Sequence, residues 1–381
     1  MALIKVKERG RETVNLGRRN LIMNGGMTVA QRGTSASGIG GSNSGTYNAQ
    51  DRWNFFAYGS PTARWTQSVS TDVPASSTHT TSLKLDCTTA SGTVGAGHRQ
   101  QLMQVIEAQD LQHLRYGSST AKKVTLSFWV KSSVTGKNYC WIYHNDGTRF
   151  TYKSYTVNSA NTWEHKKITF TGDTASAITN DTGAGLNIIW MLYLGTDYTS
   201  ATDGVEDTWA SWSAGNWDQF NGQVNNASST SNEWYLTGVQ FEVGDTATDY
   251  EHRSFEDELH SCKRYYQKSF IYATAPVNAG NTTSNVYDGN IGGYCGSNNS
   301  GIYSGGHPFS PEMRANPSMT TYGNSNGHWG QMIPTNTGTV SYSAGAGYIG
   351  HIRTNGFSVG QNISGNVLMI GFGQWTADAE L

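Results

Sequence analysis

Apolar and polar side chains alternate along Trp234 to Val243. Tyr235, Thr237, Val239, Phe241 and Val243 fall on one side of an extended chain, and Trp234, Leu236, Gly238, Gln240 and Glu242 on the other, the two-residue period of a strand. Gly244 and Asp245 end it. Upstream, similar alternation or short apolar runs predict strands at Trp53 to Tyr58, Arg64 to Val69, Ser82 to Cys87, Lys123 to Lys131, Tyr139 to Tyr143, Glu164 to Phe170 and Leu186 to Leu194. Val124, Leu126, Phe128 and Val130 form the clearest inward row. Asn20 to Gln31 brackets Asn-Gly-Gly between apolar triplets, which predicts a first strand broken by a turn or bulge, and the Gly/Ser-rich stretch 33–45 predicts an exposed loop. A short helix fits Leu102 to His113. About nine strands separated by polar loops suit a two-sheet antiparallel sandwich.

The widest gap between these strands, Thr196 to Asn232, holds Trp209, Trp212 and Trp217 in a Gly/Asn/Ser background. Three tryptophans argue against disorder, so an ordered excursion is expected. The period changes at Ser254 to Phe270. Ser254 is placed to cap a helix, acidic residues fill the first turn, Lys263, Arg264 and Lys268 lie towards the end, and Phe255, Leu259, Cys262 and Tyr266 share a face. Strand-like pieces return at Asn285 to Ile291, Ser318 to Tyr322, Val340 to Tyr342, Tyr348 to Arg353 and Val367 to Phe372. The predicted organisation is an N-terminal peptide over 1–17, a sandwich domain over 18–253, a connector helix over 254–270 and a C-terminal β domain over 271–381. The whole is mainly β.

Composition agrees with that class. Charged residues make up 14 % and aromatic residues 12 %, with 45 Gly and 7 Pro, a profile of short strands and small polar loops. The balance of 26 Lys plus Arg against 28 Asp plus Glu leaves no global field to attract nucleic acid or an anionic membrane. Neutral partners, sugars or other proteins, fit better. Cys87, Cys140, Cys262 and Cys295 lie far apart without metal-ligand spacing, and buried free thiols are expected. With no apolar run of about 18 residues, no membrane insertion is expected. The start of the chain carries no signal-peptide pattern, which implies synthesis in a cytoplasm and exit, if any, by another route.

Several motifs in fixed order, GRRNLIMNGGMTVAQRGTS, YNAQDRW, LSFWVKSSVTG, NTWEHKKITFTGDT, EWYLTGVQFEVGDTATDYEHRSFEDELHSCKRYYQ and the final WTADAEL, resemble a large family of tailed-bacteriophage virion proteins of the tail fibre or receptor-binding type. That resemblance implies a homotrimeric virion component, assembled in the host cytoplasm, that joins other tail or capsid proteins through its N-terminal peptide and adheres to a host surface polysaccharide. Leu3, Ile4, Val6, Arg9 and Arg11 are the candidate attachment residues. Asn20 to Gln31 and Trp234 to Val243 also resemble the first and last strands of jelly-roll carbohydrate-binding modules of the galactose-binding-like kind. Where those modules commonly carry calcium-binding acids this chain has Met27, Thr28, Thr237 and Gly238. Calcium prefers carboxylate oxygens, so neither this metal nor any cofactor is expected.

A search for catalysis finds no GxSxG, P-loop or HExxH. Gly345, Gly347 and Gly350 satisfy GxGxxG without the strand-turn-helix context that nucleotide binding requires. Glu206, Asp207 and Asp218 offer acids for glycoside cleavage, but sequence does not set the separation that chemistry needs. The expectation is therefore a non-enzymatic protein. Aromatic rings stack on the apolar faces of sugars while amides, acids and guanidinium groups bond the hydroxyls. Trp209, Trp212, Asn216, Trp217, Asp218 and Gln219 are the glycan-binding candidates, with core or interface packing as the alternative role of the rings. Tyr322, His328 and Trp329 form a secondary set. A structural adaptor without receptor contact and a glycan depolymerase are the competing functions.

Overall fold

The computed structural model describes residues 18–200, 205–213 and 218–277, and, towards the C-terminus, 290–294, 302–303, 306–322, 331–333, 341–342, 348–361, 368–372 and 374–381. The sandwich strands in chain order are β1 (Ser35–Ile39), β2 (Gly45–Tyr47), β3 (Asn54–Tyr58), β4 (Arg64–Ser70), β5 (Ser82–Thr89), β6 (Arg99–Glu107), β7 (Val124–Ser132), β8 (Gly136–His144), β9 (Arg149–Val157), β10 (Glu164–Phe170), β11 (Ala184–Leu194), β12 (Ala210–Ser211) and β13 (Glu233–Val243). One sheet has the order β1-β4-β5-β13-β7-β10 and the other β12-β9-β8-β11-β6-β3-β2, every pairing antiparallel. The mainly β two-sheet antiparallel sandwich expected from the residue pattern is the fold, in line with the jelly-roll form that the resemblance implied.

Between the sheets the row Val124, Leu126, Phe128 and Val130 is fully buried, as its alternation predicts. It meets Cys140 and Ile142 of β8 and Leu186, Ile188, Trp190 and Leu192 of β11 in one apolar cluster. The Trp190 ring lies 5.5 Å from Trp53 and 5.6 Å from Phe128. Cys87, Cys140 and Cys262 are buried free thiols; Cys295 lies outside the described residues.

Strand β13 departs from a single alternation. Its pairing with β7 shifts register between Thr237 and Gln240, so Trp234 and Leu236 face the core before the irregularity and Val239 and Phe241 after it. Tyr235, expected on the side of Val239, instead sits beside Lys131, whose Nζ is 4.1 Å from its ring centroid. An extra residue in one strand reverses side-chain parity, and Gly238, at φ +61°, supplies it. A Cβ there would lie 2.4 Å from His79 Nε2. Gly238→Ala is expected to lower stability by about 1–2 kcal/mol, the cost of a left-handed non-glycine residue; an unchanged denaturation midpoint would show that the bulge relaxes freely.

Three local expectations are corrected. Asn20 to Gln31 forms no strand. It is a buried irregular segment whose side chains replace a ladder: Asn20 Nδ2 donates to Val239 O (2.9 Å), Asn20 Oδ1 accepts from the Phe241 amide (3.0 Å), and Asn24 bridges the Val29 and Asp51 carbonyls. The stretch 33–45 is not wholly loop, since it holds β1 and the start of β2, paired with β4 and β3. Leu102 to His113 is strand to Glu107 and then a 3₁₀ turn over Ala108–Leu114. Its helix-forming Gln, Met and Ala residues are overridden because β6 pairs on both sides, with β11 and β3.

The predicted connector helix is shorter than its pattern, covering Phe255–Lys263, with the Ser254 hydroxyl accepting from the Asp257 amide at 3.1 Å. The chain then extends as Tyr266–Lys268, because Tyr265 and Tyr266 are held beneath guanidinium groups, Arg52 at 3.4 Å and Arg32 at 3.7 Å from the ring centroids. Tyr266–Lys268 pairs with Gln374–Asp378, which pairs in turn with Ser318–Tyr322. Phe309, Met313, Phe357, Ala377 and Ala379 make a small core there.

Candidate functional site

The seven-stranded sheet is apolar on both faces. Along β8, Cys140 and Ile142 enter the sandwich, so Tyr139, Trp141 and Tyr143 must project outwards, given the two-residue period. The same parity sends Met103 of β6, Phe150 and Tyr152 of β9, and Ile189 and Met191 of β11 to this outer face. Large rings cannot remain bare in water, and the excursion after β11 covers them. Phe220 packs 5.4 Å from Tyr139 and 5.1 Å from Tyr152, and Trp212 stands edge-on to Trp141 at 4.9 Å and to Phe150 at 5.3 Å. Together with Tyr198 these side chains form a second apolar cluster outside the sandwich.

The cover leaves a recess. A cleft of about 230 Å³ is lined by Phe56 of β3, Arg99, Gln101 and Met103 of β6, Trp141 and Tyr143 of β8, Asn187 and Ile189 of β11, and Trp212. Rings make its walls, and a few polar groups are set among them. Asn187 Oδ1 is engaged by Asn145 Nδ2 at 2.8 Å. In contrast Arg99 Nε, Gln101 Oε1 and Trp141 Nε1 are buried with no hydrogen-bond partner. Such groups are costly to bury unsatisfied; these three atoms lie beneath the surface of the recess, while the Arg99, Gln101 and Asn187 side chains contribute to its wall. Burial lowers the pKa of the Arg99 guanidinium, opposed by the phenols of Tyr198, Tyr58 and Tyr143. The arrangement suits a compact molecule with an apolar face and a polar rim.

The residues singled out from sequence separate. Trp212 lines the cleft. Trp209 does not: its indole N–H donates to Thr171 O at 2.8 Å and its ring packs on Tyr116 and His144, against the main core. Asp218 and Gln219 are half-buried and are not among the cleft residues. Asp207 Oδ1 accepts from the Thr171 amide at 2.8 Å and its Oδ2 lies 3.1 Å from Lys153 Nζ. Tyr322 sits in the C-terminal sheet with its ring 5.2 Å from Phe270. Asn216, Trp217, His328, Trp329 and the attachment candidates Leu3, Ile4, Val6, Arg9 and Arg11 lie outside the described residues. Sequence reading missed Phe56, Arg99, Gln101, Trp141, Tyr143 and Asn187. The available signal was the pair of strands, Tyr139 to Tyr143 and Leu186 to Leu194, with large apolar residues at both parities, which marks a sheet face buried by something beyond its partner sheet.

No protein-family model matches the chain, and no curated protein matches it in sequence. Solved structures do resemble it. The enzymatically active domain of tailspike protein 4 of bacteriophage CBA120 is 14 % identical with a TM-score of 0.28, the match covering 59 % of this chain and 21 % of that one, so the match spans about a fifth of that domain's length. The carbohydrate-binding module TmCBM61 in complex with β-1,4-galactotriose is 9 % identical (TM-score 0.29), over 60 % of this chain and 100 % of that one. The family 11 carbohydrate-binding module from Clostridium thermocellum in complex with a β-1,3-1,4-mixed-linked tetrasaccharide is 10 % identical (TM-score 0.25), over 59 % and 99 %.

Proposed function

We propose that this chain is a non-catalytic carbohydrate-binding protein whose cleft on the seven-stranded sheet holds a sugar unit. The supporting observation is the meeting, in one recess, of the rings of Trp141, Tyr143 and Trp212 with the polar side chains of Arg99, Gln101 and Asn187. A pyranose has the matching division, with C–H groups that lie on a ring and a rim of hydroxyls that take hydrogen bonds. At about 230 Å³ the cleft is smaller than the roughly 300–1,000 Å³ of sites for drug-sized ligands, which suits one unit of a polymer. In the same reading the protein is a homotrimeric phage tail fibre or receptor-binding component, located in the virion, attached through its N-terminal peptide and adhering to a host surface glycan. The sequence motifs supply the support for that role. The non-catalytic part of the reading rests on the lack of a catalytic motif in the sequence; of the three acids considered for glycoside cleavage, Asp207 is engaged by Thr171 and Lys153.

Affinity electrophoresis through gels containing a panel of bacterial surface polysaccharides tests the reading. Trp212→Ala is expected to weaken retardation of the folded protein roughly tenfold, equivalent to about 1.4 kcal/mol, because its ring lines the cleft as well as packing on Trp141 and Phe150. Trp209→Ala is expected to lower stability and to leave retention of the folded protein intact. Undiminished binding by Trp212→Ala would remove the cleft from the mechanism.

A further inference from the structure

Arg99 is placed unlike most of the other buried or half-buried arginines, which face a carboxylate or, as Arg18 does, backbone carbonyls. Arg32 and Arg52 face Glu380, Arg149 faces Asp173 and Arg264 faces Glu107, each with a carboxylate oxygen within hydrogen-bonding distance. Arg99 faces rings. Its guanidinium carbon lies 5.2–5.9 Å from the ring centroids of Phe56, Tyr58, Trp141, Tyr198 and Trp212. Its Nε is buried without an acceptor, and no salt bridge or side-chain hydrogen bond joins it to another described residue. The described cleft lining contains no Asp or Glu. A guanidinium presents five donors in a planar fork suited to a carboxylate, and rings alone satisfy none of its hydrogen bonds.

Resting on the carbohydrate reading above, we infer that the cleft selects an anionic sugar, a unit whose carboxylate meets the Arg99 fork while its ring lies against Trp212 and Trp141. The chemistry is self-consistent. The carboxylate supplies the negative charge and acceptors that the protein leaves out, and the Gln101 and Asn187 side chains line the same cleft beside the unit's hydroxyls. Hydrogen bonds to charged groups are stronger than neutral ones, so the charge decides which polymers bind.

The test compares polygalacturonate, alginate and hyaluronan with the carboxyl-reduced form of each, which keeps rings and linkages and removes the charge. Binding is read by quenching of tryptophan fluorescence and by isothermal titration. At least one acidic polymer is expected to bind tenfold or more tighter than its reduced form. Arg99→Gln should abolish that difference, Arg99→Lys should retain part of it, and Lys123→Gln, an equal charge change at an exposed site before β7, should leave it intact. Equal binding of acidic and reduced forms overturns the charge inference and leaves the carbohydrate reading standing. Acid preference that survives Arg99→Gln, or that falls equally with Lys123→Gln, also overturns it. Binding of no polymer in either form overturns both. Because the acidic and reduced forms are compared on the wild-type protein, the result does not depend on Arg99→Gln folding.

Discussion

Glu380→Ala is expected to destabilise the protein by about 3–5 kcal/mol, the cost of removing one partner from a buried ion pair. The Glu380 carboxylate is 4 % exposed and contacts Arg52, itself 1 % exposed, and Arg32 at 3.3 Å. Burial opposes the charge of Arg52 most strongly, but Glu380 together with Tyr265, Tyr47 and Cys262 outweighs it and holds the guanidinium above its ordinary pKa. Burial likewise raises the Glu380 carboxyl, against the pull of Arg52 and Arg32. Without the acid, Arg52 keeps the Val105 carbonyl at 2.6 Å and the Tyr265 ring, neither of which neutralises it. Arg32 retains Asp378 at 3.0 Å, so it suffers less. Chemical denaturation followed by tryptophan fluorescence measures the loss, and Glu380→Gln, which keeps shape and part of the hydrogen bonding, should lose less. A loss below about 1 kcal/mol, the level of exposed pairs, would mean that water reaches the cluster.

Trp190→Ala is expected to cost a comparable 3–5 kcal/mol, for a different reason. Trp190 is fully buried and its ring touches Trp53, just before β3, and Phe128 of the other sheet. Its removal leaves a cavity between the sheets that neither β-sheet can close, since each is held by pairing on both sides of the gap. Trp190→Phe, which fills most of the space, should lose markedly less. The outer cleft lies on the opposite parity of β11, where Asn187 and Ile189 point. Sugar binding by folded Trp190→Phe protein should therefore match the wild type, and reduced affinity would show that core and cleft are mechanically coupled.

The candidate site was less legible than the fold because aromatic residues report burial without reporting what buries them. Trp209 and Trp212 are three positions apart in the same Gly/Asn/Ser-rich excursion, and nothing local distinguishes them. Trp209 turns into the gap beside Tyr116 and His144, and Trp212 turns over Trp141. The difference arises from the short strand Ala210–Ser211, which pairs with Phe150 and Arg149 at the sheet edge and fixes the parity of its neighbours. Arg99 gave a still weaker signal: one cation at the start of a strand acquires meaning only when Phe56, Tyr58, Trp141, Tyr198 and Trp212, drawn from distant segments, surround it.

Periodicity was enough to establish the class of fold, most of the sandwich strands and the capped helix at Phe255, because a half-buried strand and an amphipathic helix write their burial into adjacent residues. Val124 to Val130 shows that directly. Three further features required the tertiary structure. The bulge at Gly238 depends on where β7 lies, the strand state of Arg99–Glu107 depends on partners on both sides, and the closing of Arg52 and Arg32 onto Glu380 joins residues more than 300 positions apart. Register, parity after a bulge and the pairing of buried charges are set by contacts distant along the chain, and local alternation carries no record of them.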